Sequence, residues 1–422
     1  MKLLLKNVIL RKSRKDIYIK ENKIERIGEG LDLKVDEKID GKGQKAVFPG
    51  LVNCHTHSAM ALFRGYADDL PLKEWLEKKI WPLEAKLTKD DAYWGTKLAC
   101  LEMIKTGTTC FNDMYWAEEA SVEAAEEMGL RAKIGLVLLD ILPMGSKENI
   151  ERYWKSFKKR KFKTVTFSVA PHSIYTVSEE SLIWAKNFAK KNRLVLHIHL
   201  SETEKEVKDC LRKYKMRPAE YLDRIGFLNK DCILAHSIWL SEKEIRILAK
   251  RKCNVVYCPC SNMKLASGIF SYEKLKSEGV NVALGTDGAA SDNNLDLFEE
   301  MKFGSLLQKI NEMDPTAAPA SEIFEAAAKK GAKALKINAG EIKKGKLADL
   351  ILVDLNQVCL TPGHNLASDL VYSCSGNCVS DVIVNGRILM RDRKVEGEEK
   401  ILKEAVKRVK KLMGSVSGEK NA

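Results

Sequence analysis

Four short pieces of this chain carry side chains that bind metal ions and move protons. They are His55-Thr56-His57, His199 with Glu202, His236, and Asp287, and each lies where a predicted β-strand ends. Side chains two positions apart in a strand point to the same face, so His55 and His57 can reach one ion. Imidazoles with a carboxylate suit a borderline-soft divalent cation such as zinc. Together the pieces predict a metal site that activates water, as in a hydrolytic enzyme.

The elements that must position these residues alternate along the middle of the chain. Apolar, β-branched runs followed by turn residues and then by a helical pattern predict eight strands, at residues 47–54, 108–114, 132–139, 164–171, 194–200, 232–237, 253–258 and 281–287. Helices are predicted between them, for example at 121–128, 179–191, 242–251 and 272–278. Eight such units predict a closed (β/α)₈ barrel of the TIM type, an α/β fold.

Barrels of this type keep their functional residues at the carboxyl ends of the strands. The metal-competent residues follow this rule, since His55 and His57 end the first predicted strand, His172 the fourth, His199 the fifth, His236 the sixth and Asp287 the eighth. We therefore expect all of them to face one mouth. Three imidazoles and a carboxylate, with room for a water, are typical of a catalytic rather than a structural zinc.

Two histidines of the fifth strand, His197 and His199, could both point inward. We expect His199 to be the ligand because it is nearer the strand end, and His197 to be packed in the barrel interior. Glu202 follows three residues later and can lean over the same mouth as a proton donor. Asp287 can accept the proton of the water, and His236 can orient the resulting hydroxide.

The two ends of the chain differ from the middle. Short strands are predicted at 3–9 and 17–20, and again at 348–355, 382–385 and 387–390, where Asn385-Gly386 has the chemistry of a hairpin turn. We expect the ends to form a small β-sandwich, capped by a helix at 400–413. The predicted domains are residues 1–46 plus 346–422 for the sandwich and residues 47–345 for the barrel.

At the level of motifs the chain resembles the amidohydrolase superfamily, and within it the methylthioadenosine/S-adenosylhomocysteine deaminase family. The resemblance runs nearly end to end. The matching pieces are Pro49 to His57, Trp75-Leu76, Ile80 to Glu84, His199 to Thr203, Ala235-His236, Ser261 to Gly268, Gly285 to Ser291, Gly345 to Leu350 and Val384 to Gly386. Glu84, in its Trp-Pro-Leu-Glu setting, is the piece that is most specific for the deaminase family.

The resemblance implies roles for individual residues. His55, His57, His199 and Asp287 would bind one zinc, while Glu202, His236 and Asp287 would be catalytic. Glu84 would accept hydrogen bonds from the ribose 2′ and 3′ hydroxyls, and His172, Glu202 and Asp287 would also contact the substrate. The weaker candidates are His172 for the nucleoside, Ser291 for the purine edge and Trp75 for the pocket wall, because packing explains each of them equally well.

The implied reaction is hydrolytic deamination of adenine in 5′-deoxyadenosine, methylthioadenosine, S-adenosylhomocysteine or adenosine, in salvage of S-adenosylmethionine by-products. Superfamily members with two metals carry a carbamylated lysine at the end of the fourth strand, whereas this strand runs into Pro171-His172, so we expect one ion. Some family members grip the homocysteine carboxylate with arginines after the third strand. Residues 136–142 contain no arginine, which favours a small, uncharged 5′ group.

Composition narrows the remaining classes. The net charge of +13 arises from lysines spread along amphipathic helices together with glutamates, and we expect no nucleic-acid partner. No apolar run has the length of a membrane span, so we expect a cytoplasmic protein without a membrane partner. The eleven cysteines are odd in number and scattered, which favours buried free thiols. Neither Cys258-Pro259-Cys260 nor Cys374 with Cys378 has a second pair at zinc-finger spacing, so packing is favoured there too.

Three alternatives remain open. A deaminase or hydrolase of a ribose-free heterocycle, such as guanine or a triazine, would not need Glu84. A catalytically silent barrel would serve as a scaffold, although the full set of ligands, donor and orienter argues against it. A deaminase acting on RNA would use the positive charge. A homo-oligomer is expected because assemblies are common among relatives.

Overall fold

The computed structural model describes residues 1–141 and 143–418. Leu142, the last residue of the segment without arginine, and the four C-terminal residues of the predicted sandwich domain lie outside the described residues. The middle of the chain contains eight strands, β6 to β13. They are Leu51–Thr56, Thr108–Asp113, Arg131–Leu138, Val165–Pro171, Val195–Leu200, Cys232–His236, Asn254–Tyr257 and Asn281–Leu284, and the five strands before them are described below.

Strands β6 to β13 form one parallel sheet in which each strand pairs with the next along the chain. The first and last strands are brought together by a parallel bridge between Thr56 and Asp287, so the sheet closes on itself. Every residue of β6, β7, β8, β10 and β11 is buried, as expected for strands covered on both faces. The predicted α/β barrel is therefore confirmed.

The two ends of the chain meet in a second sheet. Its N-terminal strands β1 to β5 are Lys2–Leu10, Ser13–Lys20, Lys23–Gly28, Glu37–Asp40 and Lys45–Pro49, and its C-terminal strands β14 to β17 are Leu350–Asp354, Val379–Val384, Arg387–Arg391 and Lys394–Val395. The order is β17-β16-β15-β14-β5-β1-β2-β3, with β4 paired to β1, in a mixture of parallel and antiparallel pairs. The sequence predicted a small sandwich, and the structure shows these nine strands hydrogen-bonded as a single mixed sheet. The division into domains at 46/47 and 345/346 stays a prediction.

The predicted strand at 47–54 is two strands, because the chain changes sheets at Gly50. Residues 45–49 pair with β14 of the terminal sheet, whereas residues 51–56 pair with β7 of the barrel. A Cβ atom at Gly50 would lie 2.1 Å from the Thr109 hydroxyl oxygen, so only glycine lets the chain pass so close to the second barrel strand. Apolar patterning continues through this point and does not mark the change.

Helices pack around the barrel and between the two sheets. The longer ones are Lys89–Lys105, Glu118–Met128, Lys147–Phe157, Glu179–Asn192, Glu204–Tyr214, Pro218–Arg224, Glu242–Arg251, Leu297–Glu312, Leu366–Tyr372 and Glu398–Gly418. The shorter α-helices are Leu72–Trp75, Trp81–Glu84, Pro259–Lys264, Tyr272–Ser277, Ala320–Glu325 and Gly331–Ala334. Several begin at a serine or threonine whose side chain accepts a backbone N–H, for example Thr88 and Ser241. No helix among the described residues is long and apolar enough to cross a membrane.

A buried ion pair joins the barrel to the terminal sheet. Arg131, the first residue of β8, donates from Nε and Nη2 to the two carboxylate oxygens of Asp349, at 2.7 and 3.0 Å. Asp349 also accepts from the backbone N–H of Asn385 at 2.7 Å. Both charged side chains are almost fully buried, so each depends on the other as its counter-ion.

Replacing Asp349 with alanine should destabilise the fold by about 3–5 kcal/mol, because it leaves the Arg131 guanidinium buried without a counter-ion. The free energy of unfolding in denaturant is the measurement. The matched control is Asp392→Ala, which breaks another ion pair between the chain ends, Lys45–Asp392, where the carboxylate is 72% exposed. That change should cost about 0–1 kcal/mol. Equal losses for both variants would contradict a structural role for the buried pair.

Candidate active site

Six of the seven histidines of the chain converge at the carboxyl ends of the barrel strands. His55 lies in β6, His57 just after it, His172 just after β9, His197 and His199 in β10, and His236 at the end of β11. The His55 ring is 4.9 Å from that of His57, 4.8 Å from that of His199 and 5.2 Å from that of His236. The predicted convergence on one mouth is therefore present.

The ring nitrogens meet the carboxylate of Asp287, which follows β13. Oδ1 of Asp287 is 3.1 Å from Nε2 of His57 and 3.3 Å from Nε2 of His55. The donor atoms of His55, His57 and Asp287 lie within 4.8 Å of one another, and so do those of His55, His199 and His236. Nε2 of His55 is fully buried without a hydrogen-bond partner. A buried, unpartnered nitrogen beside a carboxylate oxygen fits a divalent cation.

Second partners fix which nitrogen of two histidines faces the site. Nδ1 of His57 donates to the Met114 carbonyl oxygen at 2.6 Å, and Nδ1 of His199 donates to the His172 carbonyl oxygen at 2.7 Å. Because a carbonyl oxygen only accepts, Nδ1 carries the hydrogen in each ring. Nε2 of each ring therefore presents its lone pair to the site, as a metal ligand must.

In His236 the hydrogen is on the other ring nitrogen. Its Nδ1 lies 2.9 Å from the amide nitrogen of Asn262, which donates, so the hydrogen of the neutral ring is on Nε2. That Nε2 faces the site, 3.9 Å from a carboxylate oxygen of Glu202. His236 thus offers a hydrogen-bond donor where His57 and His199 offer lone pairs.

The sequence prediction for His197 is incomplete. His197 is fully buried, as expected, but its Nε2 also lies 2.9 Å from Nδ1 of His55. Its other nitrogen is 3.0 Å from the amide nitrogen of Asn112, which also donates to the Cys54 carbonyl oxygen. His197 and Asn112 therefore hold the His55 ring from beneath. Asn112 lies in the second barrel strand, and its place in the strand gave no sign of this contact.

Hydroxyl groups complete the surroundings of Asp287. Its Oδ2 accepts from Ser261 at 2.7 Å and from Ser291 at 3.0 Å, which leaves Oδ1 for the histidines. The backbone of Asp287 has a φ of 62°, and that of His236 has a φ of 66°. Non-glycine residues seldom adopt this left-handed conformation, and it concentrates at functional sites.

The charges of the site are interdependent. Burial opposes ionisation of Asp287, but the adjoining His55 and His57 rings outweigh it and hold the pKa of this carboxylate well below its usual range. Burial lowers the pKa of His55 to about 3. Burial also disfavours charge on His57, yet Asp287 raises the pKa of His57 to about 9. The site thus attracts a positive charge to this carboxylate, and a metal ion would displace the proton.

Glu202 faces the same space from the segment after β10. It is almost completely buried, and burial raises the pKa of its carboxyl group, although the neighbouring His236 opposes the shift. The two backbone N–H groups of Ser201 and Glu202 donate to Glu206, each at 2.9 Å, which fixes the start of the following helix. Glu202 is therefore a positioned carboxylic acid that keeps its proton more readily than an exposed one.

Glu84 lines the same cavity, at the end of the helix Trp81–Glu84. Burial raises the pKa of its carboxyl group, and the neighbouring Tyr115, His57 and Trp116 act against this shift. Tyr115 and Trp116 follow the second barrel strand directly, yet sequence analysis missed them. A search of the residues just beyond each predicted strand end would have found both.

One cavity of about 490 Å³ connects these groups. Its lining includes the predicted residues His57, Glu84, His172, His199, Glu202, His236 and Asp287, together with Trp75 and Ser291. His55 lies below its floor, fully buried. The rest of the wall is mostly apolar, and no lysine or arginine is among the described residues that line it. The volume is that of a typical small-molecule site.

Comparison with known proteins agrees with this geometry. The Amidohydrolase family profile matches residues 46–389. The 5-methylthioadenosine/S-adenosylhomocysteine deaminase 1 of Archaeoglobus fulgidus is 48% identical over 405 residues, covering 95% of this chain and 96% of that protein. The 5′-deoxyadenosine deaminase of Methanoregula boonei is 50% identical over 375 residues, covering 87% and 84%.

A solved structure is similar over the whole chain. The zinc-bound adenosine deaminase of Xanthomonas campestris superposes with a TM-score of 0.92 at 32% identity, covering 98% of each chain. The profile match spans most of this chain, and the relatives are similar along nearly their full lengths. The protein belongs to the amidohydrolase family.

Proposed function

We propose that the protein is a zinc-dependent hydrolase that deaminates the adenine ring of 5′-modified adenosines, releasing ammonia and the inosine analogue. The observation that supports this function most directly is that one cavity holds the histidine–carboxylate cluster, Glu202 and, on its wall, Glu84. The histidine–carboxylate cluster and Glu202 suit activation of water and proton transfer, whereas Glu84 suits the binding of a vicinal diol. The names of relatives about half identical to this chain support the same class of substrate.

We assign His55, His57, His199 and Asp287 as ligands of one divalent ion. The carbonyl partners of His57 and His199 and the unpartnered nitrogen of His55 support this set. Zinc is the proposed ion because imidazole and carboxylate ligands suit it and because the similar adenosine deaminase contains zinc. A single ion is proposed because the fourth barrel strand ends in Ala170-Pro171, without a lysine to bridge a second one.

The protein's own groups carry the proton transfers. The ion, when bound, lowers the pKa of water to near 7 and so supplies a nucleophile at neutral pH. Asp287 accepts the proton of the attacking water, and the Nε2 hydrogen of His236 orients the attacking oxygen toward carbon 6. Glu202 gives its proton to ring nitrogen 1, which makes carbon 6 electrophilic. The proton held by Asp287 passes to the amino group, and ammonia leaves with the electron pair of the carbon–nitrogen bond. The remaining hydroxyl proton on the carbon 6 oxygen returns to Glu202 as the carbonyl group of the product forms.

Glu84 is proposed to bind the ribose. A carboxylate offers two acceptor oxygens, which match the two hydroxyl donors of a vicinal diol. Tyr115 and Trp116 line the cavity beside its side chain. A ribose-free substrate such as guanine would leave this half-buried carboxylate without the hydroxyl donors of a diol, which disfavours the alternative function of a heterocycle hydrolase.

The 5′ group is proposed to be small and uncharged. Apolar side chains line the cavity from the end of the third barrel strand, at Val137, and from the segment after it, at Leu139, Ile141 and Met144. The amino and carboxyl groups of S-adenosylhomocysteine would find no opposite charge among the described lining residues. The cytoplasmic location and the homo-oligomer expected from the sequence stay predictions.

Ammonia release by the zinc-loaded protein should be fastest with 5′-deoxyadenosine and methylthioadenosine. S-adenosylhomocysteine should show a kcat/KM at least about tenfold lower, because its charged tail must lose water against an apolar wall. The measurement compares these nucleosides with adenosine and guanine in parallel. Turnover of guanine with no turnover of any nucleoside would refute the proposed function.

Glu202→Gln should lower kcat by about 10²- to 10⁴-fold, because the amide cannot donate the proton. Zinc content should not change, since Glu202 is not among the proposed ligands. The matched control is Glu204→Gln, an exposed residue two positions later, which should retain wild-type kcat. A wild-type rate in Glu202→Gln would exclude this residue as the proton donor.

Glu84→Gln should reduce kcat/KM for nucleosides about 10- to 100-fold, mainly through KM, because the hydrogen bonds from the diol lose their charged acceptor. The exposed Glu77, on the same segment, gives the control variant Glu77→Gln. With 2′,3′-dideoxyadenosine, which has no diol, wild type and Glu84→Gln should be nearly equal. If the variant were impaired as much on this analogue, Glu84 would have a role other than ribose binding.

A further inference from the structure

Three cysteines from separate segments bring their sulfur atoms together beside the terminal sheet. Cys359 lies in the one-turn helix Val358–Leu360, Cys374 follows the helix that ends at Tyr372, and Cys378 directly precedes β15. The three sulfur atoms lie within 4.8 Å of one another, and those of Cys359 and Cys378 are 3.3 Å apart. We name these residues the thiol cluster.

The thiol cluster is separate from the active site. Gly376, between its members, packs against Thr106, just before the second barrel strand begins. The active site lies at the other, carboxyl ends of the strands. None of the three cysteines lines the active-site cavity.

We propose that Cys359, Cys374 and Cys378 bind a second, thiophilic divalent cation of the zinc type. Zinc binds thiolate sulfur at about 2.3 Å in a tetrahedron, which places ligand sulfurs about 3.8 Å apart. The sulfurs of Cys359 and Cys378 are 3.3 Å apart, slightly closer than this value, and no pair in the cluster is more than 4.8 Å apart. Small side-chain rotations therefore suffice to place all three sulfurs around one ion.

Solvent can supply the fourth ligand. Cys374 and Cys378 are buried, whereas Cys359 is partly exposed. Its neighbour Val358 is 92% exposed, so this turn forms the outer edge of the cluster. A water or another small ligand can complete the tetrahedron from this side.

The local charge also suits a metal–thiolate group. Three thiolates and one divalent cation carry a net charge of −1. The guanidinium group of Arg393 donates to the carbonyl oxygens of Gly376 and Val379, both at 3.0 Å, which lie on either side of Cys378. Arg393 therefore supplies a compensating positive charge next to the cluster.

Packing alone explains the other cysteines better than it explains these three. Free cysteine is often buried as a small apolar side chain, and each of the eleven cysteines has a free thiol. Among the groups of potential metal ligands in the described residues, the thiol cluster is the one composed of sulfur alone. The sequence showed only Cys374 and Cys378, because the third sulfur comes from a turn on a different segment.

Cadmium is the probe that separates the two metal sites, because thiolate–cadmium bonds absorb in the ultraviolet and the barrel ligands contain no sulfur. Metal-free, reduced wild-type protein should give a thiolate-to-cadmium band that saturates at one equivalent bound at the thiol cluster. Cys359→Ser, at the partly exposed position, should lower the cadmium affinity of this band at least tenfold. Deaminase activity should not change, because the residue lies outside the cavity.

Cys210→Ser is the matched control, since it removes a buried thiol from the helix Glu204–Tyr214 and should leave the band intact. Cys378→Ser gives a second test from another segment and should behave like Cys359→Ser. Absence of a thiolate band in reduced wild-type protein would overturn the proposal. Bands of equal affinity in Cys359→Ser, Cys378→Ser and Cys210→Ser would overturn it as well.

Discussion

Closure of the barrel between its first and last strands is the constraint on which the active site depends. The backbone N–H of Asp287 donates to the His55 carbonyl oxygen at 3.0 Å, and the Thr56 hydroxyl donates to the Asp287 carbonyl oxygen at 2.8 Å. These bonds place a carboxylate next to two imidazoles that are more than two hundred residues away in the chain. Gly285 lets the last strand approach the first so closely, because a Cβ atom there would lie 2.9 Å from the backbone nitrogen of His55. Without this closure the proposed ligands would be divided between two sheet edges.

In the closed barrel, the second hydrogen-bond partner of each histidine fixes which ring nitrogen carries the hydrogen. Backbone carbonyls turn the lone pairs of His57 and His199 toward the site, while the amide of Asn262 gives His236 a donor there. Rings of the same type thereby become suited to binding a cation or to orienting an oxygen. The left-handed backbone at His236 and Asp287 belongs to the same design, since both side chains must turn sharply from their strand ends.

The terminal sheet is tied to the barrel by both backbone and charge. The chain passes between the sheets at Gly50, whose N–H donates to the Asp349 carbonyl oxygen at 2.9 Å, and the side chain of the same Asp349 binds Arg131. The thiol cluster lies at this boundary, where Gly376 contacts the turn before the second barrel strand. Substrate chemistry and the proposed second metal are thus placed at different ends of the strands, and each can be altered without the other.

Local sequence patterns alone determined the barrel fold and the side of the barrel on which the candidate active site lies. Apolar β-branched runs located all eight barrel strands to within a few residues, because strands buried on both faces need such side chains. Strand ends then predicted that His55, His57, His199, His236 and Asp287 would share one mouth, since parallel strands in a barrel end on one side. Only the tertiary structure decided the contacts across the chain: the change of sheet at Gly50, the support of His55 by His197 and Asn112, the hydroxyls on Asp287, and the meeting of three cysteines. These contacts join residues far apart in sequence, so no local period or propensity records them, and their geometry exists only once the barrel and the terminal sheet have closed.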